Sequence, residues 1–261
     1  MILGPSVPGP RPVLFDLGDT LMHFSRQNVL PDFRRGLILA HEHLREQGLT
    51  PPSPERYRAC CRRWFLIDYV VSLLRRREVD VLQTLAKVHR SLHLPADPAL
   101  LLAVCQKAYE PQRESGEVDA DVHTVLEELT RRDHPLALVS NTMVPGPILD
   151  AHLQAEGLLR YFPVRAYSSE VGFRKPHPRI FRAALMGLNA KPQGCVFVGD
   201  KPALDVRGAR RLGMVTVLKQ IRPGRSWPWR PDFVVRRLAE LPSIVDRLGP
   251  SPEHPVAARE R

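Results

Sequence analysis

Cysteine is scarce in this chain, with four among 261 residues: Cys60, Cys61, Cys105 and Cys195. Their spacing matches neither a metal-ligand set nor a disulfide framework, and the adjacent pair Cys60-Cys61 does not suit a structural bridge. This excludes a disulfide-stapled scaffold and reads as reduced thiols in a cytoplasmic protein. Long apolar runs are missing too. The longest, Phe65 to Leu74, is interrupted by Asp68 and falls well short of the roughly 20 residues a membrane-spanning helix needs. No basic-then-apolar leader opens the chain, so no membrane association is expected. Lysine is rare, with six of the 38 basic residues. The net charge of +10 attracts anionic partners in general. The arginines, however, are scattered, with short clusters only at Arg62-Arg63, Arg75-Arg76-Arg77 and Arg236-Arg237. No recognised nucleic-acid module accompanies them, so nucleic acid is not an expected partner. No internal repeat is visible, and no pattern sets an oligomeric state.

What is present is an ordinary globular balance, 43% hydrophobic and 25% charged, in a chain long enough for one large domain or two modest ones. An apolar run, Val13-Leu14-Phe15, reads as a buried strand. A turn follows to about Phe24, and from about Pro31 to Ser115 the periodicity is helical. Pro31–Gln47 is closed by Gly48. Ser53 caps a second helix with Pro54 at its first position. Val79–Leu94 and Asp97–Tyr109 follow, with Pro95 and Pro98 between them. From about Val118 short apolar runs alternate with helical stretches. The runs are Leu136–Val139, Val164–Tyr167, Val196–Val198, Val215–Leu218 and Phe233–Val235. The helices are Pro145–Leu158, Pro178–Leu188, Ala203–Leu212 and Leu241–Leu248. Such alternation implies βαβ units and a parallel sheet. The lone strand at Val13 joins that sheet. The expected organisation is therefore an α/β core over 12–24 and 116–248 with an all-helical insertion over 25–115. Disordered ends are expected over 1–11 and 249–261. Trp227-Pro228-Trp229 is expected to pack locally.

Four polar groups follow these strands: Asp16, Ser140-Asn141, Lys175, and Gly199-Asp200 with Asp205. Each alone is explained as well by turn or cap chemistry. In a parallel sheet, though, strand ends meet along one edge, so groups far apart in sequence converge. A carboxylate nucleophile, a hydroxyl, a lysine and a further acidic pair form a set suited to phosphoryl transfer.

The stretches Asp16-Leu17-Gly18-Asp19-Thr20-Leu21, Leu138-Val139-Ser140-Asn141, Ser169 to Pro176 and Gly199 to Asp205, in that order, resemble the haloacid dehalogenase-like hydrolase superfamily. The resemblance runs from about Arg11 to Leu248. It implies a Rossmann-like, doubly wound, mostly parallel core with a helical cap of the first type. It implies that Asp16 attacks phosphorus and becomes an aspartyl-phosphate, that Ser140 hydrogen-bonds a phosphoryl oxygen, and that Lys175 balances charge. It implies that Asp205 orients Lys175 or a metal-bound water. It places Thr20, Ser140, Asn141 and Lys175 against a small phosphorylated substrate. It implies Mg²⁺ held by Asp16, Asp200 and the backbone carbonyl of Gly18.

Gly18 departs from the family pattern, whose phosphatases usually carry an aspartate there as general acid and base. Such assistance is worth about 10²–10⁴-fold. The expectation is therefore a weak phosphatase biased toward good leaving groups. The rival expectation is a catalytically impaired protein that binds a phosphorylated ligand or a protein partner. Dehalogenation is disfavoured, because that pattern has tyrosine at the Gly18 place. His23 is expected to face solvent, Asp19 to serve loop hydrogen bonding, and Arg35, Arg62 and Arg63 to meet either solvent or an anionic substrate.

Overall fold

Residues 7–24, 29–220 and 228–256 are described by the structure, a computed structural model. In chain order they form β1 (Val7–Gly9), β2 (Val13–Phe15) and β3 (Met22–Phe24). Four helices follow: α1 (Val29–Glu46), α2 (Pro54–Arg75), α3 (Val81–Ser91) and α4 (Pro98–Glu114). The chain continues through β4 (Gly116–Val118), α5 (Val122–Arg131), β5 (Leu136–Ser140), α6 (Gly146–Ala155) and β6 (Val164–Tyr167). It then forms α7 (Ser168–Val171), α8 (Pro178–Gly187), β7 (Val196–Gly199) and a widened helical turn over Pro202–Val206. Last come α9 (Arg207–Arg210), β8 (Val215–Lys219), β9 (Phe233–Val235), α10 (Leu241–Leu248) and β10 (Ser251–Val256).

Six strands make one sheet in the order β6-β5-β2-β7-β8-β9, and every pairing is parallel. β2 occupies the middle because its three residues, Val13, Leu14 and Phe15, are all apolar and fully buried, as strands covered on both faces must be. Alternation sends Phe15 with Leu138 and Val198 to one face, where α5 and α10 pack through Leu126, Leu129, Leu241 and Val245. Leu14 with Ala137 and Phe197 goes to the other, against Phe181, Ala184 and Ala209 of α8 and α9. From β2 the chain crosses to β5 on one side and β7 on the other. The crevice where strand order reverses therefore opens at the carboxyl end of β2, the usual ligand position in such sheets.

The helical insertion leaves the core through β3 and returns through β4. These two strands pair antiparallel, Met22 with Val118 and Phe24 with Gly116, and bring the two crossings side by side. Local chemistry sets the helix starts. Asp80 accepts from the Gln83 amide at 3.0 Å and Asp97 from the Leu100 amide at 2.9 Å. The first of these caps starts α3 at Val81, two residues later than periodicity alone predicts. α1 and α4 approach closely at Gly36, where a Cβ would lie 2.0 Å from the Ala108 carbonyl oxygen. Among the described residues no helix is long and apolar enough to cross a membrane.

The expectation of disordered ends is corrected for residues 7–11 and 249–256. β1 and β10 pair antiparallel, Val7 with Val256 and Gly9 with Ser251. Arg11 is buried and donates to the carbonyls of Leu248, Gly249 and Pro250 and to that of Gly194, all within 3.3 Å. The reason is long-range. The C-terminus of α10 leaves unpaired carbonyls, and a guanidinium more than 230 positions away in sequence satisfies them. Proline and glycine content says nothing of such a partner. Residues 1–6 and 257–261, and Trp227 of the tryptophan pair, lie outside the described residues. Trp229 lies under the Arg207 guanidinium at 5.0 Å.

Candidate active site at the carboxyl edge of the sheet

Asp16 directly follows β2, and its amide donates to the Val198 carbonyl at 2.9 Å, which carries the strand pairing one residue further. The side chain therefore starts at the rim of the sheet. Its Oδ1 accepts from the Leu17 amide at 2.8 Å and lies 2.5 Å from Lys175 Nζ. The same ammonium is 2.8 Å from Asp205 Oδ1. Lys175 thus bridges two carboxylates in a place where its side chain is 2% exposed. Its backbone is clamped by one amide side chain: Asn141 Oδ1 accepts from the Lys175 N–H at 2.7 Å, and Asn141 Nδ2 donates to the Lys175 carbonyl at 3.2 Å. Asp205 Oδ2 accepts from the Lys201 amide at 2.8 Å. Gly199 is required for this packing, because a Cβ there would stand 2.5 Å from Asp205 Cγ.

Burial raises the carboxyls of Asp16, Asp200 and Asp205 above the ordinary range, and the neighbouring lysines oppose that shift. Burial by itself would lower the Lys175 amine, but Asp16 and Asp205 together reverse this and hold it charged. Carboxylate oxygens of Asp16, Asp200 and Asp205 lie within 4.8 Å of one another. Such a hard-oxygen cluster fits Mg²⁺. Both Asp205 oxygens already have partners, so Asp16 and Asp200 are the carboxylates suited to a cation.

A cavity of about 270 Å³ opens above Asp16. Core residues Asp16, Leu17, Gly18, Ser140, Asn141, Thr142, Val144, Leu149, Lys175, Lys201 and Leu204 line it, with Phe24 of β3 and Tyr109 and Gln112 of α4. The sequence-predicted residues Asp16, Gly18, Ser140, Asn141 and Lys175 meet on its wall. Asp200 and Asp205 stand beside it.

Thr20 does not join them, which corrects its placement against a substrate. It is fully buried and absent from the cavity wall, because the tight turn after Asp16 folds it inward. Its carbonyl accepts from Lys219 Nζ at 2.8 Å. His23 pairs with Asp119, Nε2 to Oδ1 at 2.7 Å, and its side chain is 36% exposed. Arg35 pairs with Glu114 at 2.8 Å and Arg63 lies over Trp64; neither lines the cavity. Asp19 has a positive φ of 61° and its amide donates to the Met22 carbonyl at 2.7 Å.

Three features escaped sequence reasoning. Lys201 enters the cavity, with Nζ 3.1 Å from Asp200 Oδ1 and 3.7 Å from Asp19 Oδ2. Its signal was a cation directly after a strand-end carboxylate. Tyr109 and Gln112 reach the cavity from α4, and periodicity does not identify that face. Glu78, just beyond α2, comes within 2.6 Å of Ser168 Oγ and ties the insertion to the core. No local pattern marks this contact.

A sequence-family model described as haloacid dehalogenase-like hydrolase matches residues 11–213. A glyceraldehyde 3-phosphate phosphatase of Methanopyrus kandleri is 39% identical over 99 residues, 35% of this chain and 42% of that protein. A phosphoserine phosphatase of Thermus thermophilus is 37% identical over 137 residues, 52% of this chain and 54% of that protein. The chain thus spans about half, or less, of the length of these curated relatives. A solved phosphatase of the same family from Thermococcus onnurineus superposes with a TM-score of 0.59 at 25% identity, covering 92% of this chain and 99% of that one.

Proposed function

The chain belongs to the haloacid dehalogenase-like hydrolases, and we propose that it is a Mg²⁺-dependent phosphatase acting on a small phosphorylated metabolite through an aspartyl-phosphate on Asp16. One observation carries this reading: Asp16, at the end of the central strand, is bridged by the buried Lys175 to Asp205 and stands beside Asp200.

Lys175 opposes the upward push of burial on the Asp16 carboxyl and keeps Oδ1 oriented. Asp16 attacks phosphorus, the ester P–O bond breaks, and water later cleaves the acyl-phosphate. Ser140, at the end of β5 on the cavity wall, donates its hydroxyl to a phosphoryl oxygen. Asn141 acts indirectly, by fixing the Lys175 backbone. Asp16, Asp200 and the Gly18 carbonyl would hold Mg²⁺, which supplies charge neutralisation at the phosphoryl group. The relatives' names favour phosphomonoesters of small metabolites as substrates. Four unpaired thiols suit the cytoplasm.

The test is Mg²⁺-dependent phosphate release from a panel of phosphate esters, with an acid-quench trap for phosphoenzyme. Asp16→Asn abolishes both signals if the reading is right. Full turnover in that variant overturns the nucleophile assignment.

A further inference from the structure

Among the described residues, three charged ones line the cavity: Asp16, Lys175 and Lys201. Taking the phosphatase reading as premise, they decide what meets the leaving group. As Asp16 attacks, a carboxylate O–P bond forms, the ester P–O bond breaks, and its electron pair passes to the leaving oxygen. Water then supplies the proton that completes the alcohol. A fixed donor at that oxygen lowers the barrier as its charge grows.

Lys175, Tyr109 and Asn141 on the wall are committed elsewhere. Lys175 is held between Asp16 and Asp205, at 2.5 and 2.8 Å. The Tyr109 hydroxyl is 2.9 Å from His152 Nδ1. The Asn141 amide donates to the Lys175 carbonyl. Gly18 has no side chain, and among the described residues a Cβ there would meet only Phe24, at 3.9 Å. Lys201 differs from Lys175 in exposure, at 41% for its side chain against 2%. Its ammonium stands between Asp200 and Asp19, the latter directly following Gly18. The cation therefore lies beside Asp19, the residue after Gly18, and shares the cavity wall with Gly18.

We propose that Lys201 is a catalytic residue that donates a hydrogen bond from its ammonium group to the leaving oxygen while the ester bond breaks. It stays charged throughout; its contribution is electrostatic, and solvent provides the proton. Asp19 and Asp200 hold the amine within reach of the cavity.

The experiment compares wild type, Lys201→Met, Lys201→Arg and the double variant Lys201→Met with Gly18→Asp. The full chain is assayed at saturating Mg²⁺ with glycerol 3-phosphate and a series of aryl phosphates of falling leaving-group pKa. Lys201→Met lowers kcat on the alkyl ester by about 10²-fold more than on nitrophenyl phosphate, the size of an oxyanion donor's loss. The plot of log kcat against leaving-group pKa steepens. Lys201→Arg keeps the wild-type slope, and Gly18→Asp in the double variant restores the alkyl ester. An equal loss on alkyl and aryl esters, or a change confined to KM, overturns the assignment and leaves the phosphatase reading intact. A wild type that releases no phosphate from any ester overturns both. If Lys201→Met folds poorly, Lys201→Gln is read by the same slope.

Discussion

The Tyr109 hydroxyl lies 2.9 Å from Nδ1 of His152 and joins the last helix of the insertion to α6 of the core. Phe24, from the strand that enters the insertion, packs edge-on against the same imidazole at 6.3 Å. One fully buried ring therefore touches both the route into the insertion and its final helix. Both aromatic partners line the cavity.

This ring makes stability sensitive to acid. Burial lowers the His152 pKa from 6.5 to about 4, helped by Arg113. The folded form therefore binds a proton less readily than the unfolded chain. Its contribution is complete above about pH 6.5 and is lost as pH falls from there toward 4. The ceiling is about 3 kcal/mol at 1.36 kcal/mol per unit. His89 and His134 are lowered by burial as well and add in the same direction. Urea midpoints measured between pH 4 and 7 check this. His152→Gln flattens the dependence, whereas an unchanged slope means that the imidazole is not the sensor.

Replacing Gly18 by aspartate tests whether the departing oxygen lacks a proton donor. Among the described residues only the Phe24 ring lies within 4 Å of the added carbon, at 3.9 Å, an ordinary contact. Turnover of an alkyl phosphate rises by about 10²-fold or more, within the usual range for general acid assistance. Nitrophenyl phosphate gains much less. Steady-state kinetics on both esters decide, and a fall on the alkyl ester counts against this account.

Lys175→Met leaves Asp16 and Asp205 facing each other without their shared cation. Breaking a buried ion pair from one side costs about 3–5 kcal/mol, unless one carboxyl takes up a proton. Chemical denaturation then shows a marked loss of stability that is partly recovered at low pH, where the carboxyls are neutral. Phosphate release falls below detection. A fully stable variant would mean that the bridge carries little energy.

Gly36→Ala forces α1 away from α4, because the new methyl meets the Ala108 carbonyl oxygen at 2.0 Å. Overpacking of this kind costs about 1–3 kcal/mol or more. Hydrogen exchange locates the effect: protection falls in α1 and α4 and is retained in β2, β5 and β7. Uniform loss across both regions shows instead that insertion and core unfold as one unit.

Much of the layout was legible in the chain itself. Runs such as Val13–Phe15 and Val196–Val198 are apolar at every position, which marks strands covered on both faces. Ser53 with Pro54 announces the start of α2. Asp16, Ser140, Lys175 and Asp200 each follow a strand, and parallel order then obliges them to share one edge. Thr20 was misplaced because its distance from Asp16 says how far along the turn it lies and not which way the turn faces. The termini were misread because Arg11 and the end of α10 carry no local sign of each other.

By itself, then, the order of residues determined the alternation of elements, the parallel sheet and the set of groups at its rim, since these follow from periodicity and chain direction. Only the tertiary structure decided which side chains enter the cavity: Lys201 and Tyr109 inward, Thr20 beneath. It also decided which charges neutralise one another. Such choices depend on contacts between segments up to two hundred residues apart, and no local pattern encodes a distance between them.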